Sequence, residues 1–210
     1  MKLTYSFLFF LLIISIFFYF KIDWKIKHRL KRQWHFSRFE PKKNDILFCG
    51  DSNIELLDFN LIKSDNTFNY GIAGEKINGL SKRLKKIMLH DPKQLFVLIG
   101  INDVLANRSN EVIKKDYVHL FNSLKKYSKH SNITIISLYP LGRNKYIKSN
   151  LNILNNYLRE QCLKFNFNFL DVYNHLEDRT GFLNKNFSED GIHLNYNGQM
   201  CIAESINTRL

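Results

Sequence analysis

The chain has 210 residues and a mass of 25.0 kDa, enough for one sizeable core but not for two large domains. Its 45% hydrophobic and 24% charged content excludes a chain disordered throughout, and three cysteines exclude a disulfide-framework mini-protein. The formal net charge of +12 points to a nucleic acid or a membrane surface as partner.

The chain opens on an uncharged stretch, Leu3 to Phe20 (LTYSFLFFLLIISIFFYF). As a helix these residues span about 27 Å, close to the thickness of a hydrocarbon core. Tyr5, Tyr19 and Trp24 fall near the ends, where interfacial aromatics belong. The stretch is longer than the apolar core of a secretory signal, and no small-residue cleavage site follows it. Residues 1–20 therefore read as an uncleaved transmembrane anchor.

Residues 21–43 come next, and they hold nine Lys/Arg against two acids, +7 of the +12. Residues 44–210 hold 21 basic and 17 acidic residues. The basicity is thus a local feature beside the apolar span, and nucleic-acid binding loses its main support. Residues 24–39 interleave aromatics with cations, as a segment lying on anionic headgroups does; a solvated linker is the other reading. Seven of the cations follow the span within residues 21–40, which by the positive-inside rule puts the body in the cytoplasm.

From Asp45 short apolar runs alternate with helical periodicity. The runs are 46–49, 67–70, 95–99, 133–138 and 167–172. Helices are expected near 77–89, 111–128, 150–165 and 196–208, the third from Leu151, Leu154, Leu158 and Cys162 at three- and four-residue spacing. Such alternation predicts a single α/β domain over residues 44–210, with a parallel sheet of five strands covered on both faces. Cys49 and Cys162 fall on apolar faces, and the three cysteines have no metal-ligand spacing; their scatter fits a reducing compartment.

In a parallel sheet of this kind, ligands bind at the carboxyl ends of the strands. Gly50-Asp51-Ser52-Asn53 follows the first run, Gly71-Ile72-Ala73-Gly74-Glu75 the second and Gly100-Ile101-Asn102-Asp103 the third. Asp190-Gly191-Ile192-His193 precedes the last helix. A serine nucleophile needs a base, the base an orienting acceptor, and the developing oxyanion preorganised donors. Ser52, His193 and Asp190 can fill the first three roles. The N–H groups of Ser52 and Gly74 and the Asn102 amide can fill the last. Taken singly, each block has a plainer reading: a Gly-Asp-Ser turn, an Asx-capped strand end, a surface loop, or a metal site made of Asp103, Asp190 and His193. Asp51 and Asp171 read as loop-orienting or pocket residues, and Glu189 as solvated.

These four blocks, in this order, resemble the SGNH/GDSL hydrolases, with the nucleophile on Ser52, the glycine on Gly74, the asparagine on Asn102 and the acid–base pair on Asp190 and His193. The resemblance covers about residues 45–208 and is nearest to small acetylhydrolase-like members. It implies a flavodoxin-like three-layer α/β/α sandwich, a Ser-His-Asp triad and no cofactor. Two positions depart from the family pattern. Asn53 stands where Leu or Ile is usual, and Leu56 stands where many members have Gly. Gly71 competes with Gly74 as the oxyanion glycine, with the spacing to Glu75 favouring Gly74. The expected function is a membrane-anchored serine esterase acting on an acetyl-type ester of a sugar or lipid. Acyl transfer through the same intermediate, a silent envelope or assembly protein on this fold, and a metal-dependent phosphoesterase are the alternatives. Many anchored relatives act outside the membrane, which opposes the charge rule on the side the body occupies.

Overall fold

The structure, a computed structural model, describes residues 23–128, 130–142 and 144–210. The expected transmembrane segment, residues 3–20, lies outside the described residues. Among the described residues no helix is long and apolar enough to cross a membrane. The chain divides into two compact units after Phe39.

In the first unit the described part is one helix, α1, Trp24–Arg38. It starts where the Asp23 carbonyl accepts from the N–H groups of Ile26 and Lys27. Ile26, Leu30 and Trp34 recur every four residues, and all are exposed. Cations surround them, and the Arg38 guanidinium lies 4.5 Å from the Trp34 ring. The expected linker is therefore helical here, with an apolar stripe in a basic surface.

The second unit, Glu40–Leu210, is built on a five-stranded sheet. Its strands are β1 Ile46–Gly50, β2 Thr67–Gly71, β3 Gln94–Leu98, β4 Asn132–Ile136 and β5 Asn168–Leu170. All pairings are parallel, in the order β2-β1-β3-β4-β5. The helices are α2 Ser52–Glu55, α3 Ile77–Met88, α4 Ile101–Leu105, α5 Asn110–Tyr127, α6 Lys145–Phe165, α7 Tyr173–Leu176 and α8 Tyr196–Asn207. β1 and β3 are buried throughout, as strands covered on both faces must be. Phe48 and Phe96, opposite each other in register, stack with ring centroids 4.8 Å apart. Phe59, in a 3-10 turn over Phe59–Leu61, meets Phe48 edge-on.

The connections to β3, β4 and β5 run in one direction across the sheet, and right-handed crossovers put α3, α5 and α6 on one face. The β1–β2 connection runs the other way, so its 3-10 turn covers the opposite face together with α8 and α7, which it contacts in sequence. The strand order reverses between β1 and β3, and a crevice forms at the carboxyl ends of such a pair.

Expected boundaries shift for identifiable reasons. β4 stops at Ile136 instead of running to Leu138, because the Asn155 side chain takes both backbone groups of Leu138: its Oδ1 accepts at 2.8 Å and its Nδ2 donates at 2.6 Å. α6 begins five residues earlier than expected, where Asn144 Oδ1 accepts from the Tyr146 and Ile147 N–H groups. Its first turn is largely exposed, so apolar spacing could not announce it. β5 is shorter than its apolar run, since Ser137 Oγ and Asp171 Oδ1 draw the Val172 and Tyr173 N–H groups into a turn.

Candidate active site

β1 delivers the chain to Asp51 at the edge of the crevice. The Asp51 carboxylate caps α2, accepting from the Asn53 backbone N–H at 3.0 Å and from its side-chain amide at 3.1 Å. That fixes Ser52 as the first residue of a helical turn, 8% exposed, with its N–H unspent within the helix. The Ser52 Oγ lies 3.0 Å from His193 Nε2. His193 Nδ1 lies 2.7 Å from Asp190 Oδ2. Three groups separated by up to 141 positions in the chain thus form one hydrogen-bonded line.

Asp190 is held by its own loop. Its Oδ1 accepts from the N–H groups of Ile192 at 2.8 Å and His193 at 2.7 Å. Partial burial raises its pKa, but the His193 ring and these two amides outweigh that and hold it well below the usual carboxylate range. The loop itself is fastened at both ends. The Ser188 hydroxyl donates to the His193 carbonyl at 2.7 Å and accepts from the Gly191 N–H at 2.9 Å. The Tyr139 hydroxyl, beyond β4, donates to the Ile192 carbonyl at 2.8 Å, and the Gly142 N–H donates to the Gly191 carbonyl at 2.8 Å. Asn195 then caps α8 by accepting from the Gly198 N–H.

The expected oxyanion donors sit at neighbouring strand ends, since Gly50 pairs with both Gly71 and Leu98. Gly74 has φ +72°, a left-handed conformation that suits glycine, and a Cβ there would meet open space. Its N–H donates to no protein acceptor among the described residues. Gly71, the competing glycine, has its N–H bound to Asn69 Oδ1 at 2.8 Å and offers no donor. Asn102 stands at the start of α4, and its Nδ2 donates to the Glu75 carbonyl at 3.2 Å. That bond ties the third block to the second and leaves the other amide hydrogen for a ligand.

The arrangement suits acyl transfer. A hydroxyl faces an imidazole nitrogen, the other imidazole nitrogen faces a carboxylate, and donors lie on adjoining loops. The metal alternative fails on geometry. Asp103 Oδ2 accepts from the Ile77 N–H at 3.1 Å and its Oδ1 pairs with Arg108, away from Asp190 and His193. Among the described residues no three His, Cys, Asp or Glu side chains cluster as a metal site would require.

The sequence model of the GDSL-like lipase/acylhydrolase family matches residues 53–200, most of the chain. The chain belongs to that family. Among curated proteins it is similar to an N-acylneuraminate cytidylyltransferase of Escherichia coli O18:K1:H7, 28% identical over 183 residues, 81% of this chain and 42% of that one. It therefore spans about two-fifths of that relative's length. Among solved structures, a Streptococcus pneumonia protein provisionally named a platelet activating factor superposes with TM-score 0.79 at 23% identity, over 89% of this chain and 94% of that one. Axe2, an acetylxylan esterase from Geobacillus stearothermophilus, gives 0.66 at 16% identity, over 79% and 93%. At these identities the superpositions show the shared fold.

The contacts that shape this GDSL-like site carry no signal in the sequence, although Glu75 and Asp103 fall within its blocks. Glu75, next to Gly74, is buried and takes three hydrogen bonds from Arg83, the shortest 2.6 Å; Arg83 also donates to the Tyr70 carbonyl. Glu55 Oε2 accepts from the Ala73 N–H at 2.6 Å, fastening the Gly74 turn to the helix that starts with Ser52. Asp103 holds the first turn of α3 and is bound by Arg108, which also reaches Asp116 at 2.7 Å. Ser188 and Tyr139 hold the histidine loop. None of these pairs has a helical or strand spacing that would link them before the fold is known. The unusual residues that flank the nucleophile are explained locally. Asn53 spends its amide on Asp51, and Leu56 ends α2 and is exposed. Asp171 pairs with Arg159 at 2.5 Å, so it orients a loop, and Glu189 is exposed.

Proposed function

We propose that this acylhydrolase removes a short acyl group, acetyl above all, from a hydroxyl of a sugar or a lipid, using Ser52, His193 and Asp190. The observation that carries the proposal is the hydrogen-bonded line from Ser52 Oγ through His193 to Asp190. The Ser52 oxygen attacks the ester carbonyl while its proton passes to His193 Nε2. Asp190 faces Nδ1 and stabilises the imidazolium. The carbonyl oxygen, now an anion, takes hydrogen bonds from the Ser52 and Gly74 N–H groups and from Asn102 Nδ2. His193 returns the proton to the departing alcohol, leaving an acyl-serine. Water then attacks that ester with His193 again as base, and the carboxylic acid leaves. Each step uses only protein groups and water.

Hydrolysis is favoured over transfer to a second sugar by the openness of the site. The Asp190 and His193 side chains are 52% and 41% exposed, so water reaches the base directly. A sugar is favoured as the alcohol half by the curated relatives, which are named for N-acylneuraminate, an acylated sugar acid. Membrane attachment through residues 3–20, with the body on the cytoplasmic side, remains part of the proposal. It is supported by the uncharged span, by the cations that follow it and by the exposed Ile26, Leu30 and Trp34 on α1.

The test is a fluorophosphonate probe with mapping of the modified residue, alongside turnover of O-acetylated sugars and acetylated lipids. Labelling is expected on Ser52, with faster release of acetate from the sugars. An unlabelled, inactive protein would support the silent reading instead.

A further inference from the structure

The hydrolase body has two ends. The strands finish at one, where the site lies. They begin at the other, where the helices that return over the sheet stop. α3 and α5 end there side by side, packed against each other. Their last turns carry Lys85, Lys86, Lys125 and Lys126, all exposed. Among the described residues none of the four is engaged in an ion pair. Just past α3, Leu89 is 75% exposed. A groove of about 340 Å³ separates the two helix ends, bounded by Lys85, Met88 and Leu89 on one side and Lys126 and Tyr127 on the other. Asp91 also borders it, but Lys43 neutralises it at 3.3 Å. The body's first residues arrive at this same end: the Asn44 N–H donates to the Asp91 carbonyl at 3.1 Å, and exposed Lys42 and Lys43 precede it.

Lysines at helix C-termini are common, because they complement the dipole. Here Lys85 and Lys126 border an apolar groove, Lys86 and Lys125 lie next to them in the same last turns, and Leu89 protrudes beside the groove. The cations call for an anionic partner and Leu89 for a non-aqueous one. An anionic lipid surface supplies both, whereas a soluble polyanion leaves Leu89 in water. Each basic residue near such a surface strengthens attachment about fivefold.

We propose that this end of the body docks on anionic lipid headgroups, with Leu89 at the interface and the four lysines on phosphates, so that Ser52 faces away from the membrane. The proposal rests on the anchor reading above and deepens it. A site turned away from its own bilayer takes a soluble or polymeric ester, such as an acylated sugar, in preference to a lipid embedded beside it.

The full chain, reconstituted into vesicles, tests this. One preparation is phosphatidylcholine and the other phosphatidylcholine with phosphatidylglycerol. A fluorophore is placed through Leu89→Cys, or through Tyr146→Cys at the site end, in a Cys201→Ser background; Cys49 and Cys162 are buried. Spin-labelled headgroups should quench the dye at position 89 in the anionic vesicles, much less in the neutral ones, and not at position 146. Reversing the four lysines to glutamate should abolish the quenching while turnover of a soluble aryl acetate is unchanged. Neutral glutamines replace the glutamates if that turnover falls. Quenching at position 146, or equal quenching at position 89 in both vesicles, overturns the proposal. Vesicles that carry the chain but leave both positions unquenched refute the docking and leave the anchor standing. A chain that stays out of both vesicles refutes the two together.

Discussion

The line from Ser52 to Asp190 makes unequal demands on its members. Ser52→Ala removes the nucleophile, and hydrolysis of an acetyl ester should fall to the background set by binding and the oxyanion donors. His193→Ala should cost several orders of magnitude, and Asp190→Asn less, since Ile192 and His193 amides still order the loop; steady-state kinetics on one ester separates the three. Because Asp190 is held well below the usual carboxylate range, it stays ionised through mildly acidic pH. Loss of the Asp190 charge should therefore not limit the rate in that range, and Asp190→Asn should lower the rate by a similar factor across it. Asn102→Ala should lower kcat about 10²- to 10³-fold with KM little changed, because its donor is needed mainly in the transition state. A rise in KM alone would show that Asn102 binds the ground state. Asp51 is a separate case: burial pushes its pKa up to about 6, and its Oδ2 has no hydrogen-bond partner among the described residues. The folded state thus holds this proton more tightly than the unfolded chain. The stability it contributes is complete below the ordinary value near 3.8 and is lost as pH rises through about 6. Asp51→Asn keeps the cap and removes that dependence, worth roughly 3 kcal/mol at neutral pH. Melting temperatures of the two proteins should diverge between pH 4 and 7, and parallel curves would contradict the assignment.

Short elements at the strand ends do the positioning, and these were the least legible in the sequence. Five short runs gave five strands: β1, β3 and most of β4 are buried on both faces and must be apolar, whereas β2 and β5 lie at the sheet edges and are only partly buried. α2, α4 and α7 are four or five residues long, below the length at which periodicity can be read. The early start of α6 and early end of β4 depend on Asn144 and Asn155, whose side chains bond to backbone that apolar spacing ignores. The four site blocks were legible because their order matched a family, while the residues behind them were not, because contacts such as Glu75–Arg83 and Glu55–Ala73 exist only once α2, β2 and α3 are assembled. The turn that carries Gly74 shows the energetic consequence. Glu75 is 1% exposed, and Arg83 is its charge partner. Arg83→Met leaves a carboxylate buried without that partner and should destabilise the body by about 3–5 kcal/mol. Replacing both, with Glu75→Gln and Arg83→Met, should recover part of that loss. Urea unfolding of the two variants measures the difference, and equal losses would mean that the charge is not the cause. Gly100 is a second fixed point: at φ +125° a Cβ there would run into the Tyr117 hydroxyl, which is bonded to the Ile99 carbonyl at 2.6 Å. Asn102 follows two residues later, so a larger residue at 100 disturbs an oxyanion donor as well as the core.

At the scale of the molecule, the proposed attachment and the chemistry occupy different parts of the chain. Every residue assigned to the site lies between Asp51 and His193, and the compact unit that contains them begins at Glu40. The features that support attachment precede Glu40, apart from Leu89 and the lysines at the far end of the body. Composition alone could show the +7 stretch, but not that Lys42 to Asp45 already belong to the body. There the Lys42 N–H donates to Asp45 Oδ2 at 2.7 Å, the Asn44 N–H reaches the Asp91 carbonyl, and Lys43 pairs with Asp91. A chain that starts at Glu40 keeps these contacts, whereas one that starts at Asn44 loses the exposed Lys42–Asp45 hydrogen bond and the exposed Lys43–Asp91 pair, the pair being worth at most about 1 kcal/mol. Both should fold. The chain from Glu40 keeps the docking lysines but not residues 3–20, so it should leave the membrane fraction on a high-salt wash, hydrolyse a soluble acetyl ester with the kcat and KM of the full chain, and melt at the same temperature. The chain from Asn44 should melt slightly lower with unchanged kinetics. Fractionation at high salt followed by assay of the supernatant decides the matter: activity that stays with the membranes in salt after removal of residues 1–39 would place the anchor in the body itself, and a soluble but inactive protein would mean that the first unit is needed for activity.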